Sequence, residues 1–132
     1  MTIDKILDTL RTEFGPDVTG SVSVSPARLL IDIDRTRLRD ACRRLIQEGG
    51  RYQVGTGSDE RDRTGRFGLI HFFAFDKDRF SVGLRTSAPA GDPTFDSITP
   101  DIPAAGWTER EYRDLLGMSF PGHPKPKKLI LA

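Results

Sequence analysis

Apolar and polar positions recur with two different periods along this chain, and the period assigns each element. Ile3, Ile6, Leu7, Leu10 and Phe14 are spaced for one face of a helix, with Thr2 as N-cap and Gly15-Pro16 as stop. Val22 and Val24 then alternate with serines, and Leu29-Leu30-Ile31-Asp32-Ile33 is β-branched and apolar. With Ser25-Pro26-Ala27-Arg28 as the turn between them, these predict a hairpin. Behind Asp34 as cap, Leu38, Ala41, Cys42, Leu45 and Ile46 form a second helical stripe, which Gly49-Gly50 ends. Arg35, Arg37, Arg39, Arg43 and Arg44 mostly cover its opposite face.

Beyond Gly50 the period shortens to two. Arg51 to about Gly57 reads as a strand carrying Tyr52 and Val54, followed by a charged loop, Ser58–Gly65. Phe67–Phe75 is a strand with Leu69, Ile70, Phe72 and Phe73, and Asp76-Lys77-Asp78 turns the chain. Arg79–Thr86 puts Phe80, Val82 and Leu84 on one face and Arg79, Ser81 and Arg85 on the other. Three antiparallel strands in a meander follow from this pattern. Ser87–Pro100 has loop chemistry. The last helix includes Thr108–Leu116, with Gly117 as stop. It starts at Thr108, where Thr108-x-x-Glu111 has capping-box spacing, or as early as Pro103, which makes that box internal. The tail from Met118 to Ala132 reads as extended, and its final apolar run, Leu129-Ile130-Leu131, is expected to dock. The order is αββαβββα: one α+β domain over residues 1–132, helices packed on an antiparallel sheet, with an extended C-terminal tail.

Composition narrows the function. The chain has 132 residues and 20 Lys+Arg against 19 Asp+Glu, so its near-neutral charge argues against a dedicated nucleic-acid binder. A single Cys excludes an internal disulfide, an all-Cys iron–sulfur site and a four-thiolate zinc site. No apolar run is long enough for a membrane span, and Met1-Thr2-Ile3-Asp4-Lys5 has no basic-then-apolar leader. The expectation is a cytoplasmic chain.

Candidate chemistry is sparse. The two histidines, His71 and His123, and Cys42 are scattered. Cys42 reads as a core thiol, with an activated thiol based by His71 as the alternative. Gly55-Thr56-Gly57 begins like a phosphate-binding glycine motif, but Glu60 holds the last glycine position and no helix follows. Glu109 and Glu111 diverge on their helix, and Glu109–Arg113 and Arg110–Asp114 have the spacing of surface ion pairs. The Arg35–Arg44 face is either solvated or an anion- or RNA-binding module. A small free-standing enzyme using His71 or His123 stays as a further alternative.

The C-terminal third is more specific. Trp107-Thr108-Glu109-Arg110-Glu111-Tyr112-Arg113-Asp114-Leu115-Leu116-Gly117-Met118-Ser119-Phe120-Pro121-Gly122-His123-Pro124, then Lys127-Lys128-Leu129-Ile130-Leu131, resembles one family signature over about residues 103–131. The family is the thirty-kilodalton subunit of respiratory NADH dehydrogenase, complex I. It includes the equivalent small subunit of complex-I-like, membrane-bound NiFe hydrogenases. The likeness extends over roughly Gly49–Leu131, including Ser97-Ile98-Thr99, while the first forty-eight residues match in layout. Lys125-Pro126-Lys127-Lys128 departs from the family's acidic-x-Arg-Arg run, and the compact length resembles the hydrogenase-type members, including CO-induced ones.

The resemblance implies a non-catalytic peripheral-arm subunit without flavin, metal or cluster of its own. It would dock on the large subunit and touch other peripheral-arm subunits. The host complex would carry iron–sulfur clusters and either a quinone site or a NiFe centre. Membrane contact would come only through that complex, on the cytoplasmic face of the inner membrane. The docking residues it implies are Trp107, Glu109, Arg110, Glu111, Asp114, Phe120, Gly122, His123, Pro124, Lys127 and Lys128. Trp107, Arg110 and Phe120 lead as hot spots, with core packing as the alternative for the two aromatics.

Overall fold

The structure, a computed structural model, describes residues 1–124. Helix α1 spans Ile3–Phe14, as its stripe requires. The Thr2 hydroxyl accepts from the Lys5 amide at 3.2 Å, and Ile6, Leu10 and Phe14 are buried. Strands β1 (Val18–Ser25) and β2 (Arg28–Ile33) form the expected antiparallel hairpin. Within it the core side differs from the one the valines suggest. Val22 and Val24 are exposed, because Ser21 and Ser23 are the residues facing Ile31 and Leu29.

Asp34 caps a 3-10 turn, Arg35–Arg37, by accepting from the Thr36 amide at 2.9 Å; α2 proper is Leu38–Gln47. Leu38, Ala41, Cys42 and Leu45 are buried, whereas Ile46, at the edge of the stripe, is exposed.

Strand β3 runs Arg51–Glu60, so Ser58–Glu60 belong to the sheet and not to a loop. Their backbone pairs with Arg66–Gly68 continue the ladder, and paired amides outweigh local loop propensity. The one-turn helix α3 (Arg61–Thr64) and Gly65, at φ 71°, reverse the chain into β4 (Arg66–Phe75). Strand β5 is Phe80–Pro89, and β3, β4 and β5 form the antiparallel meander.

The α+β fold and the αββαβββα order stand, with α3 as an added single turn. The sheet, however, is mixed. Its order is β1-β2-β5-β4-β3, and β2 lies parallel to β5. Turn chemistry reports only on strands adjacent in sequence. The β2–β5 pairing is made after a long crossover through α2, which is what a parallel neighbour needs.

One sheet face carries Leu29, Ile31, Ile33, Leu69, Phe73, Val82 and Leu84 into a single core with α1 and α2. A 3-10 turn, Pro103–Ala105, leads directly into α4 (Gly106–Leu116). Thr108 is therefore inside the helix and buried, and the capping-box reading is corrected: its hydroxyl points to the Gly55 carbonyl at 3.5 Å. Gly117, at φ 73°, is the left-handed C-cap expected of it.

Helix α4 sits on β3 where that strand has glycines. A Cβ at Gly57 would meet the Tyr112 ring at 2.6 Å, and one at Gly55 would meet His71, Thr108 and Tyr52 at 2.7–2.8 Å. The Gly55-Thr56-Gly57 run is thus a seat for a helix and not the start of a phosphate loop.

Candidate functional site

Helix α4, the loop 92–101 and the segment 118–123 form one assembly. The Ser119 amide donates to the Pro93 carbonyl and the Phe95 amide to the Ser119 carbonyl, each at 2.9 Å. The Ser97 amide donates to the Pro121 carbonyl at 3.0 Å. Phe95 and Phe120 stack at 5.9 Å between ring centroids, and Phe120 is buried at 8% exposure, so it takes the core alternative.

Glu109 fixes this assembly from the helix side. It is 1% exposed, and its carboxylate accepts from the Ser97 hydroxyl at 2.5 Å, the Ile98 amide at 2.8 Å and the Thr99 hydroxyl at 2.7 Å. Three donors converging on one carboxylate satisfy a buried group that would otherwise be costly. Glu109 thus serves the fold as a loop anchor and presents almost no surface of its own. The expected Glu109–Arg113 pair is not made. Arg113 Nε instead donates to Asp114 at 3.2 Å, which also displaces the Arg110–Asp114 pair. Ser97 and Thr99 enter the sequence reading only through the family likeness; nothing in their spacing announces a bond to Glu109.

Arg110 is half-buried, its Nε is buried without a hydrogen-bond partner among the described residues, and among them it forms no ion pair. It lines two adjoining clefts of about 270 and 440 Å³. The first is walled by Glu109, Arg113, Met118, Phe120 and His123. The second is walled by Thr99, Pro103, Gly106, His123 and Pro124. His123 Nε2 donates to the Gly106 carbonyl at 3.4 Å, so the imidazole ties the segment after α4 back to the start of α4.

Of the other expected docking residues, Trp107 is 60% exposed and stands three positions from Arg110, on the same side of the helix. Glu111 and Asp114 are half-buried on that side, and Gly122 and Pro124 are exposed. Lys127, Lys128 and the Leu129-Ile130-Leu131 run lie outside the described residues.

The alternatives fare differently. Cys42 is buried and its thiol is pushed up by burial, the reverse of an activated nucleophile. His71 is fully buried and desolvation lowers it to about 3, so it is neutral. Its Nδ1 lies 2.9 Å from the Tyr52 hydroxyl, and burial raises Tyr52 above the ordinary phenol range, so the two neutral groups share one hydrogen bond. Both groups belong to the interior beneath α4.

The arginine face is engaged within the molecule. Arg35 donates to the Asp92 and Thr94 carbonyls at 2.7 and 2.9 Å and to the Asp92 carboxylate at 2.9 Å. Arg39 and Arg43 meet Asp101 at 2.7 and 3.0 Å, and Arg44 meets Glu48 at 2.8 Å. Arg37 reaches Asp17 at 3.4 Å and lies over the Phe14 ring. Arg35, Arg39 and Arg43 hold the 92–101 loop, and Arg37 and Arg44 are engaged by Asp17 and Glu48, so these cations do not form an open row for a polyanion. Among the described residues no group of three His, Cys, Asp or Glu is placed to hold a metal, and no helix is long and apolar enough to cross a membrane.

Known proteins resemble the chain along its length. Residues 31–132 match the family described as respiratory-chain NADH dehydrogenase, 30 Kd subunit, beginning well upstream of the Gly49 limit expected from the motif. Hydrogenase-4 component G of Escherichia coli (strain K12) is 29% identical over 97% of this chain and 23% of its own length. The C/D subunit of NADH-quinone oxidoreductase from Edwardsiella ictaluri (strain 93-146) is 31% identical over 97% of this chain and 23% of its own. The chain therefore spans about a quarter of the curated relatives it matches. A trypsin-resistant fragment (1–134) of Nqo5 shares the fold, with TM-score 0.80 and 22% identity over 95% of this chain and 99% of that one.

Proposed function

The chain belongs to the respiratory-chain NADH dehydrogenase 30 Kd subunit family, and from that premise we propose that it is a non-catalytic peripheral-arm subunit that docks on the large subunit of a complex-I-like oxidoreductase or hydrogenase. In this reading it holds no redox centre. The host complex carries iron–sulfur clusters with a quinone site or a NiFe centre, and brings the chain to the cytoplasmic face of the inner membrane.

The observation that carries the reading is the state of α4. A helix whose Glu109 is locked into the fold by three hydrogen bonds nevertheless presents Trp107 at 60% exposure, beside an Arg110 that no described residue pairs. A large aromatic and an arginine held rigidly at a surface are the residue types that anchor interfaces. The lengths of the relatives agree. There, a domain like this one makes up 23% of a longer chain, so it works beside a much larger body. A permanent interface of this kind buries more than about 2,000 Å² in total.

Co-expression with the large subunit tests the reading. A stable complex that Trp107→Ala weakens is the expected result; free chain and free large subunit eluting apart would sink it. The large subunit's sequence then separates the hosts. Two Cys-x-x-Cys pairs able to bridge nickel and iron mean a hydrogenase, and their absence means a quinone reductase.

A further inference from the structure

We infer that the cleft around Arg110 is the receptor for a carboxylate side chain of the large subunit. The inference rests on the docking reading and adds the chemistry of the contact. Among the described residues, ten other arginines meet a carboxylate, while Arg11 and Arg66 bond a serine hydroxyl. Arg85 grips Asp32 through two bonds at 2.6 and 3.0 Å, Arg51 grips Asp76 at 2.8 and 3.2 Å, and the arginines along α2 each find a carboxylate. Arg37, whose Nε is also orphaned, still reaches Asp17 through its NH1. Arg110 has an orphaned buried Nε and no ion pair among the described residues. A charged donor withdrawn from water with nothing to bond is unfavourable, and a guanidinium matches a carboxylate in a planar, two-pronged fit.

The surroundings select a carboxylate on a protein. Met118, Phe120 and Pro121 line the first of the two clefts that meet at Arg110, and Pro103 and Gly106 the second, so the walls suit a side chain with an apolar stem. Glu109 also lines it, and Asp114 stands one turn along the helix from Arg110. These two carboxyl groups favour a singly charged guest over a phosphate. Trp107, exposed on the same side of α4, extends the surface beyond the cleft, as expected for a group inserted by a large partner.

The test uses the full chain with its large subunit and compares wild type, Trp107→Ala, Arg110→Gln and Arg110→Lys. Arg110→Gln is expected to weaken the complex by about 30-fold or more, with a shallower salt dependence. Arg110→Lys should recover only part of that loss, because a lysine cannot reproduce the fork. The isolated Arg110→Gln chain should melt within a few degrees of wild type, which separates docking from folding. Charge reversal at Arg110 should be rescued by a lysine replacing one acidic residue of the large subunit. If Trp107→Ala weakens the complex while Arg110→Gln binds like wild type with an unchanged salt slope, the carboxylate receptor is overturned and the docking reading stands. If wild type forms no complex, both fall.

Discussion

Helices α2 and α4 both carry dense charge, and they use it in opposite ways. On α2 and the turn before it, Arg35, Arg39, Arg43 and Arg44 all close ion pairs within the chain, three of them onto Asp92 and Asp101 of the loop that α4 also grips. On α4, Glu109 is buried and bonded three times while Arg110, the next residue, finds no partner among the described residues. Charge density therefore does not mark the proposed docking surface. Arg37, before α2, also has an orphaned Nε; what distinguishes α4 is an arginine with no ion pair among the described residues, held in place by satisfied neighbours.

Substitutions can break or sharpen this contrast. The largest effect belongs to Glu109. Glu109→Ala should cost about 3 kcal/mol by leaving the Ser97, Ile98 and Thr99 donors unmatched, read as a lower denaturant midpoint. Loss of complex formation should accompany it, because the loop behind the Arg110 cleft loses its anchor.

Acid separates the two regions next. His71, beneath α4, is lowered to about 3 in the folded chain from an ordinary 6.5. The unfolded chain thus binds a proton that the folded one refuses, and stability falls as pH drops below about 6.5, until about 3. Between pH 7 and 5 this amounts to about 2 kcal/mol. Asp92 and Asp101, which hold α2's arginines, are lowered below the usual carboxylate range by Arg35 and Arg39, so their contribution is lost only in stronger acid. A His71→Asn chain, which carries no imidazole, should lose the acid sensitivity between pH 7 and 5. An unchanged slope in that variant would place the titrating group elsewhere.

Smaller effects follow on the surface. Arg35→Gln removes three hydrogen bonds to the 92–94 segment and should lower stability by about 1 kcal/mol, less so at high salt. Arg110→Gln in the isolated chain should change stability by no more than about 0.5 kcal/mol in either direction. A larger loss there would make Arg110 part of the fold and erase the contrast between the helices.

Elements with strong local periodicity are legible in the sequence: α1, α2, β4, β5 and the Gly117 stop all stand within a few residues of their expected bounds. Features that depend on distant partners are not. Strand β3 continues through Ser58–Glu60 because β4 pairs with it, and β2 runs parallel to β5 because the crossover brings it there. The same holds at the site. Family likeness locates the stretch that matters, Trp107 to Pro124. Which of its charges face inward emerges only once Ser97 and Thr99 are seen to bond Glu109. The helical spacing Glu109–Arg113 is real, but a better donor set across the fold prevails over a surface pair worth about a few tenths of a kcal/mol.

The two bare positions beneath α4 give the molecule a height adjustment. Methyl groups at Gly55 and Gly57 would act as shims, lifting the rod that carries Trp107 and Arg110 away from the sheet without altering either side chain. On the proposed docking reading, an assembly defect can therefore originate in the sheet below the helix, and a single alanine at Gly57 is the smallest change that would tilt α4.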